Sequence, residues 1–206
     1  LEFIHKTIGN IIIYLYIVID INDINIEKLQ HSLIKKFNFN SQYVKPIKKN
    51  NLHLTLKFLG EKTDFEAKDI ISDLSKINFT SFNIVFNNIS VFPHIRSPRI
   101  IWIGLDDESN RKLNDIYLQL NSVLQKYDNI QNKDTLLDVD SQKFLPHLTI
   151  FRIYKNHRIP NFISSFDKMI ISENEVNTIR LKKSILTPNG SIYSDLFNIY
   201  ANKRNA

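Results

Sequence analysis

Apolar and polar positions change period several times along this chain, and the changes predict a mixed series of strands and helices. The most apolar run, Ile11 to Ile19, is continuous rather than alternating and predicts a buried strand. It is too short to cross a bilayer, which takes about 20 apolar residues, and no small-residue cleavage site follows it. Ile26, Leu29, Leu33, Ile34 and Phe37 then recur at helical spacing, predicting a helix over 25–38. Tyr43 to Ile47 reads as extended, with Pro46 marking a sheet edge or strand end. A strand over 52–58, ended by Gly60, precedes a second amphipathic helix over 64–77. Phe82 to Phe92 predicts a strand bulged at Asn87-Asn88, and Arg99 to Leu105 a strand carrying the only Trp, Trp102. A helix over 109–127 shows Leu113, Ile116, Tyr117, Leu120 and Leu124 on one face. Residues 128–142 have no period and are rich in Asn and Asp, as expected of a loop or insertion. A strand over 146–153, a weak helix from Pro160 to Asp167, a strand from Val176 to Leu186, a turn at Pro188-Asn189-Gly190 and a last strand from Ile192 to Tyr200 complete the chain.

This order predicts an α+β fold, built as one two-lobed domain over 1–206. Two antiparallel-rich, pseudo-duplicated sheets should line a central cleft, with helices outside. The first ten residues, which open on Leu1, are expected to be a disordered or foreign lead-in.

Each expected lobe holds one copy of a short pattern: His53-Leu54-Thr55-Leu56 in the first, His147-Leu148-Thr149-Ile150 in the second. Alternate side chains of a strand share a face, so each His and Thr would point one way and the aliphatic residues into the core. A single His beside a Thr is more often structural, but two matching copies point to a shared site. Two imidazoles can serve as a general acid–base pair, because histidine changes charge near neutral pH. The threonine hydroxyls can donate to non-bridging phosphate oxygens and stabilise charge that develops there.

Composition narrows the chemistry. The absence of cysteine removes disulfides and thiolate sites and fits a reducing cytoplasm. No glycine-rich phosphate loop and no acidic cluster with metal-ligand spacing is present. Zinc on His53 and His147 lacks a third ligand nearby, so no metal and no other cofactor is expected. The net charge of +6 favours an anionic partner, nucleic acid first, although a solubilising surface accounts for it equally well.

The segments Asn51-Leu52-His53-Leu54-Thr55-Leu56-Lys57-Phe58-Leu59-Gly60-Glu61 and Pro146-His147-Leu148-Thr149-Ile150-Phe151-Arg152 closely resemble the two signatures of the 2H phosphoesterases. Within that superfamily they are most similar to the RNA 2′,3′-cyclic phosphodiesterase (2′-5′ RNA ligase) family. The likeness extends to the strand at Tyr16–Asp20, to Pro98–Gly104 and to the closing hairpin around Leu181–Leu186, Gly190 and Tyr193. It implies metal-independent hydrolysis of RNA 2′,3′-cyclic phosphate ends to a 2′-phosphate, with reversible 2′-5′ ligation as a side reaction. By the same resemblance His53 is the proton donor and His147 the proton acceptor, while Thr55, Thr149 and Arg152 hold the phosphate. The implied partner is RNA, met by a cytoplasmic monomer away from membranes. The alternatives are a 2′-5′ oligonucleotide phosphodiesterase of the same superfamily and a non-catalytic nucleotide- or RNA-binding module.

Some residues fit less simply. Tyr14 stands where the family usually has an Arg, the connection from Pro46 to His53 is about two residues longer, and 128–142 is extra. Strict alternation from His147 puts Arg152 on the core side, so a phosphate-binding Arg152 requires a twist or bulge after Ile150. Lys57 shares the expected face of His53 and is either a phosphate contact or a solvated strand-end lysine. Phe151 and Tyr14 are expected in core packing more than in base stacking. His5, His31 and His157 read as surface residues, and His94 as a surface or cleft-lining loop residue.

Overall fold

A computed structural model describes residues 12–128, 144–154, 169–187 and 190–202. Within them the chain forms strands β1 (Ile12–Asp20), β2 (Val44–Pro46), β3 (His53–Thr63), β4 (Phe82–Phe92), β5 (Ile100–Leu105), β6 (His147–Ile153), β7 (Ser172–Val176), β8 (Thr178–Thr187) and β9 (Gly190–Tyr200). Three α-helices intervene: α1 (Ile24–Phe37), α2 (Asp64–Leu74) and α3 (Asp107–Leu124). The expected helix over 160–167, the first ten residues and nearly all of 128–142 lie outside the described residues.

The α+β architecture is as expected, and the two half-sheets prove to be one curled sheet in the order β7-β4-β5-β6-β3-β1-β8-β9, with β2 added on β6. All named strand pairs are antiparallel. The halves meet at a single cross-strand pair, Leu54 with Leu148. These are the central residues of the two repeated patterns, and both are completely buried. Because β3 and β6 pair nowhere else along their lengths, they diverge on both sides of that contact and leave a cleft between the lobes.

Local sequence explains the helices. Asp23 caps α1 by accepting from the backbone N–H of Asn25, and Asn38 ends it in the left-handed conformation at φ 49°. Thr63 and Glu66 form a reciprocal capping box at the start of α2, and Asp106 caps α3. Helix α1 lies over β6, in the opposite half-sheet from β1, and Ser172 of β7 donates a hydrogen bond to Asp23. Helix α2 packs on β3 and α3, and α3 on β3 and β4.

Two expected boundaries move. Strand β3 does not stop at Gly60 but passes through it with a positive φ of 71°, a conformation that costs glycine little. The single strand expected from Val176 to Leu186 is two: β7 precedes it and pairs with β4 at the far edge of the sheet. Its charged, alternating Ser172-Glu173-Asn174-Glu175 sequence has the period of a strand but little apolar content, so it stands out poorly from a loop.

Candidate active site

His53 and His147 open β3 and β6 on either side of the cleft and line one concavity of about 360 Å³ with Thr55, Thr149 and Arg152. A larger groove of about 1260 Å³ lies elsewhere, between α3 and the ends of β4 and β9, and contains no histidine. The repeated patterns therefore converge on one place, and it is smaller than that groove.

The two imidazoles are held in the same way. Nδ1 of His53 bonds to the carbonyl of Asn51 at 2.8 Å, and Nδ1 of His147 to the carbonyl of Leu145 at 3.0 Å. A carbonyl can only accept, so each Nδ1 carries the proton and each Nε2 is left to exchange one with a ligand. An aromatic ring from the neighbouring strand lies beside each: Tyr16 of β1 at 5.9 Å from His53, and Trp102 of β5 at 5.5 Å from His147. Gly104 pairs with His147 across the ladder, and a methyl there would come within 2.9 Å of the Trp102 ring and 2.5 Å of Asn88.

Burial lowers the pKa of both histidines below the usual 6.5, partly offset by the backbone carbonyls that favour the cation. Their surroundings differ beyond that. His53 also feels Asp20, which raises its pKa, and Lys182 and Arg152, which lower it. Asp20 and Lys182 belong to a four-membered charge network with Arg180 and Asp195 that spans β1, β8 and β9. For His147, burial is opposed only by the Leu145 carbonyl. Burial, followed by the fields of Tyr193, Asp20 and Asp195, raises the Tyr16 phenol far above its normal value and keeps it neutral.

The difficulty with Arg152 is resolved by a bulge. In the β5–β6 ladder Trp102 faces Thr149 and Ile101 faces Phe151, which leaves Ile150 as the extra residue. Ile150 and Phe151 are both fully buried, Phe151 packs edge-on against Phe39 at 5.6 Å, and the alternation resumes with Arg152 exposed in the cleft. Its guanidinium has no ion-pair partner among the described residues, which suits a group awaiting an anion.

The same irregularity occurs in β3, where it corrects the expectation for Lys57. Val18 faces Thr55 and Ile17 faces Lys57, so Leu56 is the extra residue. Lys57 is thereby turned away from His53 into the helix-side core, where its ammonium reaches Asn121 at 2.8 Å and Asp128 at 2.9 Å. Phe58, rather than Lys57, faces the cleft, at 42% exposure. Phe58 and Tyr193 form a half-exposed aromatic wall with Tyr16 between them, a feature that strict alternation hides.

The structure places several of the remaining aromatic and histidine residues. Phe151 is core, but Tyr14 is not: it is 41% exposed and hydrogen-bonds to Glu61 across the β1–β3 ladder. His31 lies on the exposed face of α1, and His94 sits in an exposed turn bonded to the backbone N–H of Arg96, away from the cleft. His5 and His157 lie outside the described residues. No group of three His, Cys, Asp or Glu able to hold a metal occurs among the described residues. No helix among them is long and apolar enough to cross a membrane.

Residues 25–102 match the family described as LigT-like phosphoesterase. The chain is 35% identical over 185 residues to an RNA 2′,3′-cyclic phosphodiesterase of Archaeoglobus fulgidus, covering 88% of this chain and 97% of that one. It is 33% identical over 184 residues to an enzyme of the same name from Methanocaldococcus jannaschii, covering 87% and 95%. Among solved structures, Escherichia coli LigT in complex with 3′-AMP superposes with a TM-score of 0.70 at 21% identity, over 94% of this chain and 100% of that one.

Proposed function

The chain belongs to the LigT-like phosphoesterases, within the 2H superfamily, and on that premise we propose that it hydrolyses RNA 2′,3′-cyclic phosphate ends to 2′-phosphates without a metal. The observation that carries this reading is the matched tethering of His53 and His147 through Nδ1, which leaves two Nε2 atoms at one cleft.

In this mechanism neutral His147 takes a proton through Nε2 from the attacking water as its oxygen bonds to phosphorus. The bond from phosphorus to the 3′ oxygen breaks, and protonated His53 gives its Nε2 proton to that oxygen. Each proton transfer typically contributes about 10²–10⁴-fold. Thr55 and Thr149 donate hydroxyl hydrogens to the non-bridging oxygens, and the Arg152 guanidinium balances their charge. At the end the two histidines have exchanged protonation states, and solvent restores them. Burial disfavours the imidazolium that His53 must supply, but the arriving phosphodiester anion favours it, so substrate binding helps prepare the acid.

The rest of the cleft suits a nucleotide. Phe58 and Tyr193 offer an aromatic face to the base, where stacking is worth about 1–3 kcal/mol. A second RNA supplying its 5′-hydroxyl in place of water would give a 2′–5′ linkage through the same proton transfers. The enzyme is expected to act as a monomer in the cytoplasm.

The test is a short RNA ending in a 2′,3′-cyclic phosphate, incubated with and without EDTA, with the product isomer identified. A 2′-phosphate formed equally in both and lost in His53→Ala and His147→Ala is expected. Full activity in either variant, or activity on 2′-5′-linked oligoadenylate alone, would overturn the reading.

A further inference from the structure

We propose that Gln30, a buried residue of α1 with no contact to the reacting atoms, is a positioning residue that holds Arg152 in the cleft. This rests on the reading of Arg152 as the phosphate ligand. Gln30 faces inward from α1 over β6, is only 5% exposed, and is the one buried amide side chain on that helix. Its Nε2 donates to two backbone carbonyls: Ile150 at 2.8 Å and Ile47 at 2.9 Å. Ile150 is the extra residue of the β6 bulge, and the same carbonyl accepts from the N–H of Ile47 at 2.9 Å. Gln30 thus closes a three-way knot between α1, the residue after β2 and the bulge.

The position of that knot gives it its consequence. A side chain in a strand changes face with every one-residue change in register, so the bulge alone decides whether Arg152 points at phosphate or into the core. Without the knot, regular pairing would carry Phe151 to the cleft side and Arg152 toward α1, as strict alternation from His147 requires. An apolar residue at position 30 would complete the helix's core face equally well and give up both hydrogen bonds. Leu33 and Ile26, the neighbouring buried positions of α1, are aliphatic as expected.

The other lobe has a corresponding arrangement with different parts. There the β3 bulge at Leu56 is followed by Lys57, whose buried ammonium ties the strand to Asn121 of α3 and to Asp128. The bulges at Ile150 and Leu56 are therefore each accompanied by one buried polar side chain bridging strand and helix layer, while a further irregularity of β3, at Leu59, lies beyond Phe58. The residue two places beyond the extra position, Phe58 in one lobe and Arg152 in the other, is the one delivered to the cleft.

The experiment compares Gln30→Leu and Gln30→Met, which keep bulk and remove both donors, with Arg152→Ala and the Gln30→Leu/Arg152→Ala double variant. Steady-state kinetics use RNA ending in a 2′,3′-cyclic phosphate. The Gln30 variants are expected to lose about tenfold or more in kcat/KM, and the double variant to be no worse than Arg152→Ala alone, because both changes remove the same interaction. A purely structural role would instead multiply the two losses. Crystal structures of the Gln30 variants give a readout independent of activity: Arg152 should be withdrawn from the cleft or disordered. In the wild-type protein, the Gln30 side-chain amide signal should shift on titration with adenosine 2′-phosphate and stay fixed in Arg152→Ala; this needs no folded Gln30 variant. An unmoved Arg152, unchanged kinetics, multiplied losses or an unresponsive amide would overturn the inference. If the wild-type enzyme leaves cyclic-phosphate RNA intact while Arg152 still moves in Gln30→Leu, the proposed function fails and the positioning role stands.

Discussion

Leu148→Ala separates the stability of this fold from the alignment of its site. Leu148 is fully buried and forms, with Leu54, the one cross-strand pair between the halves of the sheet. Truncating such a leucine typically costs about 2–5 kcal/mol, from lost transfer energy and an unfilled cavity. A domain of this size generally has about 5–15 kcal/mol of stability, so the variant should remain folded. Ile84→Ala is the control: Ile84 is equally buried, but lies in β4, separated from β6 by β5. Urea unfolding should give losses of similar size for the two. Kinetics on cyclic-phosphate RNA, at a temperature where both are folded, should not. A displacement of about 1 Å at reacting groups can cost on the order of 10²-fold. His147 adjoins Leu148 and His53 adjoins Leu54, so relaxation at this contact moves the two imidazoles, the proposed acid and base, relative to each other. Leu148→Ala should lose at least about tenfold in kcat/KM on that basis, and Ile84→Ala little. Equal kinetic losses at equal stability losses would show that the single pair does not set the geometry of the cleft.

The pH dependence of kcat/KM should be bell-shaped with both limbs displaced to acid, because burial lowers both histidine pKa values in the free enzyme. The bound anion favours imidazolium, so the kcat profile should lie at higher pH than that of kcat/KM; coincident profiles would refute this. Stability carries the same sign: below about pH 6.5 the unfolded histidines bind protons that the folded ones resist, so denaturant midpoints should fall as pH drops through that range. Gly104→Ala should push Trp102 against His147 and cost about 1–3 kcal/mol by overpacking, read by thermal unfolding together with kcat. Asp128→Ala should destabilise more than Lys57→Met, because it leaves the ammonium buried and half-satisfied, whereas Asp128 without Lys57 regains water; urea midpoints rank the two.

The periodic parts of the sequence carried most of the fold. Helices α1 and α3 announce themselves through aliphatic residues at helical spacing, and β1 and β5 through apolar runs. What escaped was information that resides between strands. A bulge depends on two paired strands disagreeing by one residue, and neither Leu56 nor Ile150 differs in type from its regular neighbours. Strict alternation accordingly puts Lys57 on the face of His53, whereas the structure puts Phe58 there. Arg152 alone exposed the difficulty, since a cation in a predicted core position conflicts with burial energetics. The sharing of one sheet was equally hidden, because a single residue pair joins the halves.

The two bulges also show how a pseudo-symmetric fold can hold an unsymmetrical substrate. The histidines, threonines and Nδ1 tethers occur in matching sequence positions in the two lobes, so taken alone they do not distinguish one end of a phosphodiester from the other. Beyond each bulge the correspondence ends. One lobe delivers Arg152, a cation with no ion pair among the described residues, and the other delivers Phe58, with Tyr193 in the same cleft. A cyclic-phosphate nucleotide has the same division, with an anionic phosphate at one end and a flat, apolar-faced base at the other. On the proposed function, a phosphate held toward Arg152 with the base toward Phe58 would set which oxygen faces His53 and which face of phosphorus is open to water beside His147. The unequal environments of the two imidazoles reinforce that choice, since His53 lies closest to the charged network of Asp20 and Lys182. Exchanging the character of the two walls, as in Phe58→Arg combined with Arg152→Phe, should therefore impair hydrolysis more than either single change if orientation is what they determine. Activity retained in that double variant, with the same 2′-phosphate product, would place the orienting contacts elsewhere.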